Sequence, residues 1–350
     1  MYDEGYMSRC LDLARLAIAD VSPNPMVGCV IVLDDVIIGE GYHKKFGEAH
    51  AEPNAVQAVF ERYGEQANEM LRQATVYVNL EPCAHFGKTP PCADLLVKHR
   101  VKKVVIGNRD PFSGVNGLGI DKLRSAGIEV VSNILEQECR ALNIRFFTRI
   151  EKQRPYIILK WAETANGYFA PQDSTQSWIS GNLARRLTHK WRAEEDAILV
   201  GKNTALIDNP ELNVRDWIGN NPIRLLIDKN LQVPTSNLLF NHVAKTVIFN
   251  ELKTEVIGNV HYIQMENMQF YLPQKICFQL YLMDIQSFIV EGGMNLLNQF
   301  LSANLWDEAR IFRSKAAWKD GLRAPQLRAD FVETLNVGED EFSIYKNSKS

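Results

Sequence analysis

Apolar residues recur near the start of the chain at Met7, Cys10, Leu11, Ala14, Ala17 and Ile18. That spacing of three and four predicts an amphipathic helix over residues 5–20. Ser22-Pro23-Asn24-Pro25 ends it, because each proline keeps the residue before it out of helical geometry. Two β-rich runs follow, 26–33 and 36–43, and the Asp34-Asp35 pair between them predicts a hairpin. Beyond these come a helix over 50–63 with Ala55, Val56, Val59 and Phe60 on its apolar face, a buried strand over 74–80, and a helix over 92–99. Pro91 suits the first turn of that helix. Strands over 103–107 and 128–132 flank a helix over 118–126. This alternation predicts an α/β domain with a mixed or partly parallel sheet.

The charged, proline-punctuated run Glu151-Lys152-Gln153-Arg154-Pro155 suits a domain boundary. The domains are expected to span 1–148 and 149–350. The second half opens on the β-rich run 156–159, and strand candidates recur at 197–201, 223–228, 246–250 and 288–291. Helices are expected over about 180–195 and 294–304, so this half is α/β as well. The tail 346–350 is expected to be frayed.

Length agrees with two domains, since 350 residues exceed one ordinary core. A formal net charge of −3 argues against a broad nucleic-acid footprint, which needs a basic face. The start, MYDEGYMSRC, has no basic region followed by an apolar run, so neither a signal peptide nor a membrane span is expected and the cytoplasm is the expected location. The six cysteines are sparse and irregular, unlike a disulfide framework. Cys10, Cys29, Cys139 and Cys277 stand in apolar surroundings and suit small core residues.

The other two carry chemistry. His50-Ala51-Glu52 opens one helix, Glu81-Pro82-Cys83 follows a strand, and Pro90-Pro91-Cys92 opens another helix. A catalytic zinc takes three protein ligands of this kind and keeps a fourth position for water. His50, Cys83 and Cys92 fit that count. Glu52 stands two residues from His50, where helical side chains diverge. It is therefore placed to shuttle a proton rather than to bind the metal. Zinc deaminases of nucleobases combine H-x-E with P-C-x-x-C, the glutamate not being a ligand. The first half matches here, whereas eight residues separate the cysteines. His85 is a competing imidazole, but a fourth protein ligand would displace the water.

In the second half the run Phe288-Ile289-Val290-Glu291-Gly292-Gly293 is a buried strand ending in two glycines before a helix, a junction able to hold a pyrophosphate on backbone N–H groups. Arg192 and Arg215 could clamp a phosphate by bidentate contacts.

Several strings carry a resemblance over nearly the whole chain. They are Pro23-Asn24-Pro25-Met26-Val27-Gly28, Gly39-Glu40-Gly41-Tyr42-His43, Gly47-Glu48-Ala49-His50-Ala51-Glu52, and the long run from Glu81 through Gly87-Lys88-Thr89-Pro90-Pro91-Cys92. In the second half they include Ile158-Leu159-Lys160-Trp161-Ala162, Ser177-Trp178-Ile179, 196–201, 204–215 and Val290-Glu291-Gly292-Gly293. With these the chain resembles the bacterial bifunctional deaminase–reductases of riboflavin biosynthesis. The resemblance implies a cytidine-deaminase-like domain followed by a dihydrofolate-reductase-like domain, with zinc and NADPH as cofactors. It implies deamination of 2,5-diamino-6-ribosylamino-4(3H)-pyrimidinone 5′-phosphate, then reduction of its ribosyl group to ribityl. Asn24 and Lys88 fall on positions that contact the deaminase substrate. Ala162, Trp178, Thr204, Asp208 and Gly293 fall on cofactor-contacting positions, and Arg192, Leu212, Arg215 and Glu291 on positions that contact the reductase substrate. The implied partners are phosphorylated pyrimidines and a second copy of the chain, with no nucleic acid and no membrane.

The chain departs from the family at three places: Thr164-Ala165-Asn166-Gly167 replaces Leu-Asp-Gly, Gln176 replaces a serine, and Ser314-Lys315-Ala316-Ala317-Trp318 replaces Pro-Lys-Leu-Leu-Gly. The alternatives are a deaminase with an impaired reductase-like domain, a polynucleotide base deaminase, which would need a basic, aromatic-lined groove, and a zinc-stabilised binding module, which would need a fourth protein ligand.

Overall fold

The computed structural model describes residues 3–84, 90–172 and 179–348. The chain divides into two compact units, Met1–Lys152 and Gln153–Ser350.

In the first unit, α1 (Glu4–Arg15) is capped by Asp3, whose carboxylate accepts from the Gly5 N–H. The helix stops five residues short of the expected end. Leu16 to Asp20 form turns, and Ala19 takes φ 71°, through which a right-handed helix cannot run. Strands β1 (Gly28–Leu33) and β2 (Val36–Tyr42) pair antiparallel. Asp34 and Asp35 join them with both φ angles positive, the geometry whose twist matches a hairpin. There follow α2 (Ala51–Tyr63), α3 (Ala67–Gln73), β3 (Thr75–Leu80), α4 (Cys92–His99), β4 (Lys103–Asn108), α5 (Leu118–Ser125), β5 (Glu129–Val131), α6 (Glu136–Leu142) and α7 (Ile144–Lys152).

Among the described residues the sheet order is β2-β1-β3-β4-β5, antiparallel up to β3 and parallel beyond it. Alternate residues of each strand point to opposite faces. Cys29, Ile31, Val76, Val78, Val104 and Ile106 pack with Ala55, Val59, Leu71, Leu96 and Leu123 of the helices on one side. Val30, Val32, Tyr77 and Val105 pack with Met7, Cys10, Leu11 and Cys139 on the other. Burial on both faces is why β1 and β4 are nearly continuous apolar runs.

The second unit contains β6 (Tyr156–Glu163), β7 (Tyr168–Ala170), α8 (Asn182–Glu194), β8 (Ala197–Gly201), α9 (Lys202–Asp208), β9 (Ile223–Ile227), β10 (Thr246–Asn250), β11 (Glu255–Ile257), β12 (Val260–Gln264), α10 (Leu272–Leu282), β13 (Ser287–Gly292), α11 (Met294–Ser302), β14 (Glu308–Arg313), β15 (Leu322–Arg323), β16 (Asp330–Val337) and β17 (Asp340–Lys346). Among the described residues its large sheet runs β11-β12-β10-β9-β8-β13-β6-β14-β17-β16. From β12 to β14 every pairing is parallel, and β11, β17 and β16 attach antiparallel at the margins. The parallel strands thus deliver their carboxyl ends to one edge, where ligand sites of open α/β sheets gather. A separate pair joins β7 and β15.

The expected fraying of 346–350 is corrected at its first two residues. Lys346 pairs with Glu308 in the sheet, and the Asn347 side chain donates to Asn304 Oδ1 and the Trp306 carbonyl. All six cysteines are free, and Cys10, Cys29, Cys139 and Cys277 are buried. Among the described residues no helix is long and apolar enough to cross a membrane.

Candidate active sites

His50 occupies the N-cap of α2 with extended backbone, φ −71° and ψ 177°. Cys83 lies just beyond β3, and Cys92 is the first residue of α4. These three junctions bring His50 Nδ1 to 3.7 Å from Cys83 Sγ and 3.4 Å from Cys92 Sγ. Among the described residues this is the one group of three that could hold a metal. Zinc bonds of the usual length to sulfur and nitrogen, set at a tetrahedral angle, separate the two donors by about 3.6 Å. The donor set and its spacing therefore fit zinc.

Electrostatics favour the same occupant. The Cys83 thiol is pulled down to about 4 by the hydrogen bond it shares with Cys92, with His50 and the Cys92 N–H adding to the effect against burial. The same shared bond and burial push Cys92 up. The pair gives up a first proton easily and holds the second until a cation replaces it. Glu52, in the first turn of α2, is buried, and burial followed by the nearby Cys83 raises its carboxyl. A carboxyl raised in this way is suited to taking and returning a proton near neutral pH.

His50, Cys83 and Glu52 open on a cavity of about 350 Å³ whose wall also includes Asn24, His43 and Asp110. Lys88 and the competing His85 lie outside the described residues. His43, Glu81 and Asp110 were not anticipated as site residues. The Glu81 carboxylate accepts four backbone N–H bonds, from Asp110 at 3.2 Å, Gly117 at 2.9 Å, Gly119 at 3.0 Å and Ile120 at 3.2 Å. It thereby ties the loop that carries Asp110, Phe112 and Val115 to the strand exit that carries Cys83. Asp110 is raised to about 7, chiefly by burial, with Glu81 and Cys83 adding to it.

In the second unit, β13 ends at Gly292, and Gly293 is the N-cap of α11, which begins at Met294. Gly292 takes φ 133°, which only glycine adopts without strain. A Cβ on Gly293 would stand 3.3 Å from Thr204 Oγ1. Thr204, Asp208 and Gly293 share a cavity of about 900 Å³ with Lys202, Lys229 and Phe169. The helix N-terminus and glycine backbone suit the pyrophosphate of a dinucleotide. Ala162 lies in β6 in register with Phe312 and is not part of that cavity's described lining. Trp178 lies outside the described residues, as does the Gln176 departure.

The expected substrate residues form a second group. Arg192 of α8 donates to Glu291 of β13 at 2.8 Å and to the Asn213 carbonyl at 3.4 Å. The Arg215 side chain bonds Asn213 Oδ1 at 3.0 Å and its N–H reaches His189 Nδ1 at 3.4 Å. Leu212 is buried beside them with φ 49°. Burial opposes ionisation of Glu291, but Arg192 and Lys160 outweigh it and hold the carboxyl below its ordinary value. Lys160, which sequence reasoning did not place in a site, has its ammonium pushed down by burial while Glu291 resists the shift. A lysine inside the apolar run of β6 was the available signal.

Two of the family departures meet in space. Asn166 donates to the Trp318 carbonyl at 2.7 Å and accepts from the Trp318 N–H at 3.2 Å, and the Ala165 N–H reaches the Ala316 carbonyl at 2.8 Å. The two replaced segments thus brace each other.

A zinc-type trio with an adjacent buried glutamate, followed by a parallel sheet with a dinucleotide cradle, defines a deaminase joined to a reductase. Residues 1–108 match the "Cytidine and deoxycytidylate deaminase zinc-binding region", and residues 155–314 match the "RibD C-terminal domain". The chain is 36% identical to the riboflavin biosynthesis protein RibD of Aquifex aeolicus, covering 98% of each chain, and 35% identical to that of Escherichia coli K12, covering 97% of this chain and 98% of the relative. A solved diaminohydroxyphosphoribosylaminopyrimidine deaminase/5-amino-6-(5-phosphoribosylamino)uracil reductase from Thermotoga maritima superposes with a TM-score of 0.89 at 34% identity over 98% of both chains. Acinetobacter baumannii RibD gives 0.88 at 31% over 99% of both. The chain belongs to the RibD family of bifunctional riboflavin biosynthesis enzymes. Its cofactors are zinc and NADPH.

Proposed function

We propose that the first unit removes the 2-amino group of 2,5-diamino-6-ribosylamino-4(3H)-pyrimidinone 5′-phosphate as ammonia, and that the second reduces the ribosyl group of the product to ribityl. The observation that carries the first step is the His50–Cys83–Cys92 trio, of which His50 and Cys83 line one cavity together with buried Glu52. Bound zinc supplies an acidified water and bound NADPH a hydride. His50, Cys83 and Cys92 hold the metal. Glu52 takes a proton from the attacking water and passes it to the ring nitrogen, then carries the proton of the added hydroxyl to the leaving amine, which departs as ammonia. Asn24 and Lys88 orient the pyrimidine and its phosphate.

In the second unit Thr204, Asp208 and Gly293, with Ala162 and Trp178, seat the dinucleotide. Arg192, Leu212, Arg215 and Glu291 seat the substrate. A solvent-shielded Arg192–Glu291 pair fixes the geometry of a charged site more firmly than an exposed pair would. The six free cysteines suit a reducing compartment, the cytoplasm. We propose further that the chain assembles as a homodimer, as the family resemblance implies.

The deciding experiment supplies the diamino substrate with and without NADPH. Ammonia release should not need NADPH, and the ribityl product should appear only with it. Zinc-loaded, folded protein that releases no ammonia would refute the first step, and deaminated substrate that oxidises no NADPH would refute the second.

A further inference from the structure

Asn24 follows a helix-ending turn, and its backbone N–H is tied to the Val21 carbonyl at 2.7 Å. Its side-chain amide, in the wall of the first cavity, could face the ligand with either end. His43 decides which. The ring is buried, with 2% of its surface exposed, and its backbone N–H is anchored on the Val27 carbonyl at 2.9 Å. His43 Nδ1 lies 3.0 Å from the Ala49 carbonyl oxygen, and Nε2 lies 3.1 Å from Asn24 Nδ2. A carbonyl oxygen can only accept, so Nδ1 must carry the hydrogen. In the neutral ring Nε2 is then a bare acceptor, and the group facing it must donate. Asn24 therefore turns its NH₂ to His43 and leaves Oδ1 for the cavity. Asn54 of α2 donates to the Tyr42 carbonyl at 2.8 Å and to Ala49 at 3.4 Å, which holds the His43 segment against the helix that begins beside His50.

We propose that His43 is a positioning residue that fixes the Asn24 amide with its oxygen toward the substrate, so that the deaminase pocket selects a pyrimidine carrying a hydrogen on a ring nitrogen next to the amine-bearing carbon. This rests on the deaminase reading above. A pyrimidinone with N3–H beside its 2-amino carbon satisfies the Asn24 oxygen and leaves the bare ring nitrogen on the other side of that carbon for Glu52. A cytosine-type ring has a single ring nitrogen beside its amine-bearing carbon: turning that bare N3 to Glu52 leaves a C–H facing the Asn24 oxygen, which stays unpaired, and the reverse orientation sets the N3 lone pair against the same oxygen. Discrimination of this sort is strong because a mismatched partner leaves the site's polar group unpaired.

The test has two arms, both on the zinc-loaded full chain. Nitrogen-15 spectra of the imidazoles, with the His43 signal assigned by its loss in His43→Gln, should show a neutral ring protonated on Nδ1 at neutral pH. A ring protonated on Nε2 or on both nitrogens would overturn the proposal, whether or not any substrate turns over. In steady-state assays, His43→Asn keeps a donor for Ala49 but offers Asn24 no acceptor. It should retain zinc and raise KM about tenfold with kcat little changed, the pattern of lost uniform binding. His43→Gln restores an acceptor near the place of Nε2 and should recover most of that loss. Equal KM in both variants and the parent, or a fall in kcat at constant KM, would count against the proposal. Absence of ammonia release from the parent protein would instead sink the deaminase reading while the spectra still decide the orientation of Asn24.

Discussion

At the scale of single residues, Glu52 and Asp110 show how burial sets what a carboxyl can do. Both open on one cavity, yet Glu52 sits beside the metal-type trio and Asp110 on the facing loop. Replacing Glu52 by Gln preserves shape and hydrogen bonding but removes the proton carrier. Zinc content should stay at the parent level, and ammonia release should fall about a hundredfold or more. Metal analysis beside an ammonia assay checks this, and full activity would exclude the assigned role. Asp110 bears on stability. Its folded value of about 7 lies above the ordinary 3.8. The folded chain therefore holds this proton more tightly than the unfolded chain does, and the stability it contributes is lost as pH rises between those two values. The full effect is up to about 4 kcal/mol. Asp110→Asn cannot ionise, so its stability relative to the parent should climb from pH 4 to pH 8 and then level off. Urea midpoints across that range would show it. A constant difference would mean that the carboxyl is not buried as described.

At the scale of elements, the crossing of α1 over β1 is a tight steric constraint. A Cβ on Gly28 would lie 2.1 Å from the Cys10 carbonyl oxygen and 3.1 Å from the Ala14 nitrogen. Both neighbours are helix backbone, which cannot step aside as a side chain can. Gly28→Ala should therefore destabilise the first unit by about 1–3 kcal/mol or more, visible as a lower urea midpoint. An unchanged midpoint would show that the helix can lift. Elements of this kind, buried on at least one face, were the legible ones. The Cys92–His99 helix and the strands Ala197–Gly201 and Thr246–Asn250 match their expected bounds, because apolar periodicity records a buried face. The strand Asp330–Val337 left no such record: it is exposed almost throughout and held by its ladder to β17. In Glu308–Arg313 the inward Arg310 pairs with Glu308 and Glu195 and lies over the Trp191 ring, a partnership invisible to a hydropathy pattern. The same logic divides the sites. His50, Glu52, Cys83 and Cys92 were legible because their chemistry is written in short motifs at element ends. His43 and Lys160 were not, because the roles of these side chains come from the distant segments that meet them.

At the scale of the molecule, each catalytic constellation belongs to one unit with its own core. The trio joins the start of α2, the exit of β3 and the start of α4, and the helices α2 and α4 share a core with β1, β3 and β4. The Arg192–Glu291 pair and the Gly292-Gly293 turn sit on a sheet whose strands bury Leu159, Leu199, Phe288 and Val290 elsewhere. Free energy gained by binding a metal to folded ligands stabilises the body that holds them. Stripping zinc with a chelator should therefore lower the melting temperature of the first unit and abolish ammonia release. NADPH oxidation on already deaminated substrate should continue at about the parent rate, because no chemistry assigned to the second unit uses zinc. The converse variant, Arg192→Met, leaves Glu291 buried without its guanidinium partner. It should cut NADPH oxidation by at least about tenfold, the cost of breaking a shielded charge pair, while ammonia release stays at the parent level. Running both perturbations on one preparation makes the outcome decisive. If the chelator stops NADPH oxidation as well, or if Arg192→Met halts ammonia release, then the two steps share a structural dependence that crosses the boundary between the units.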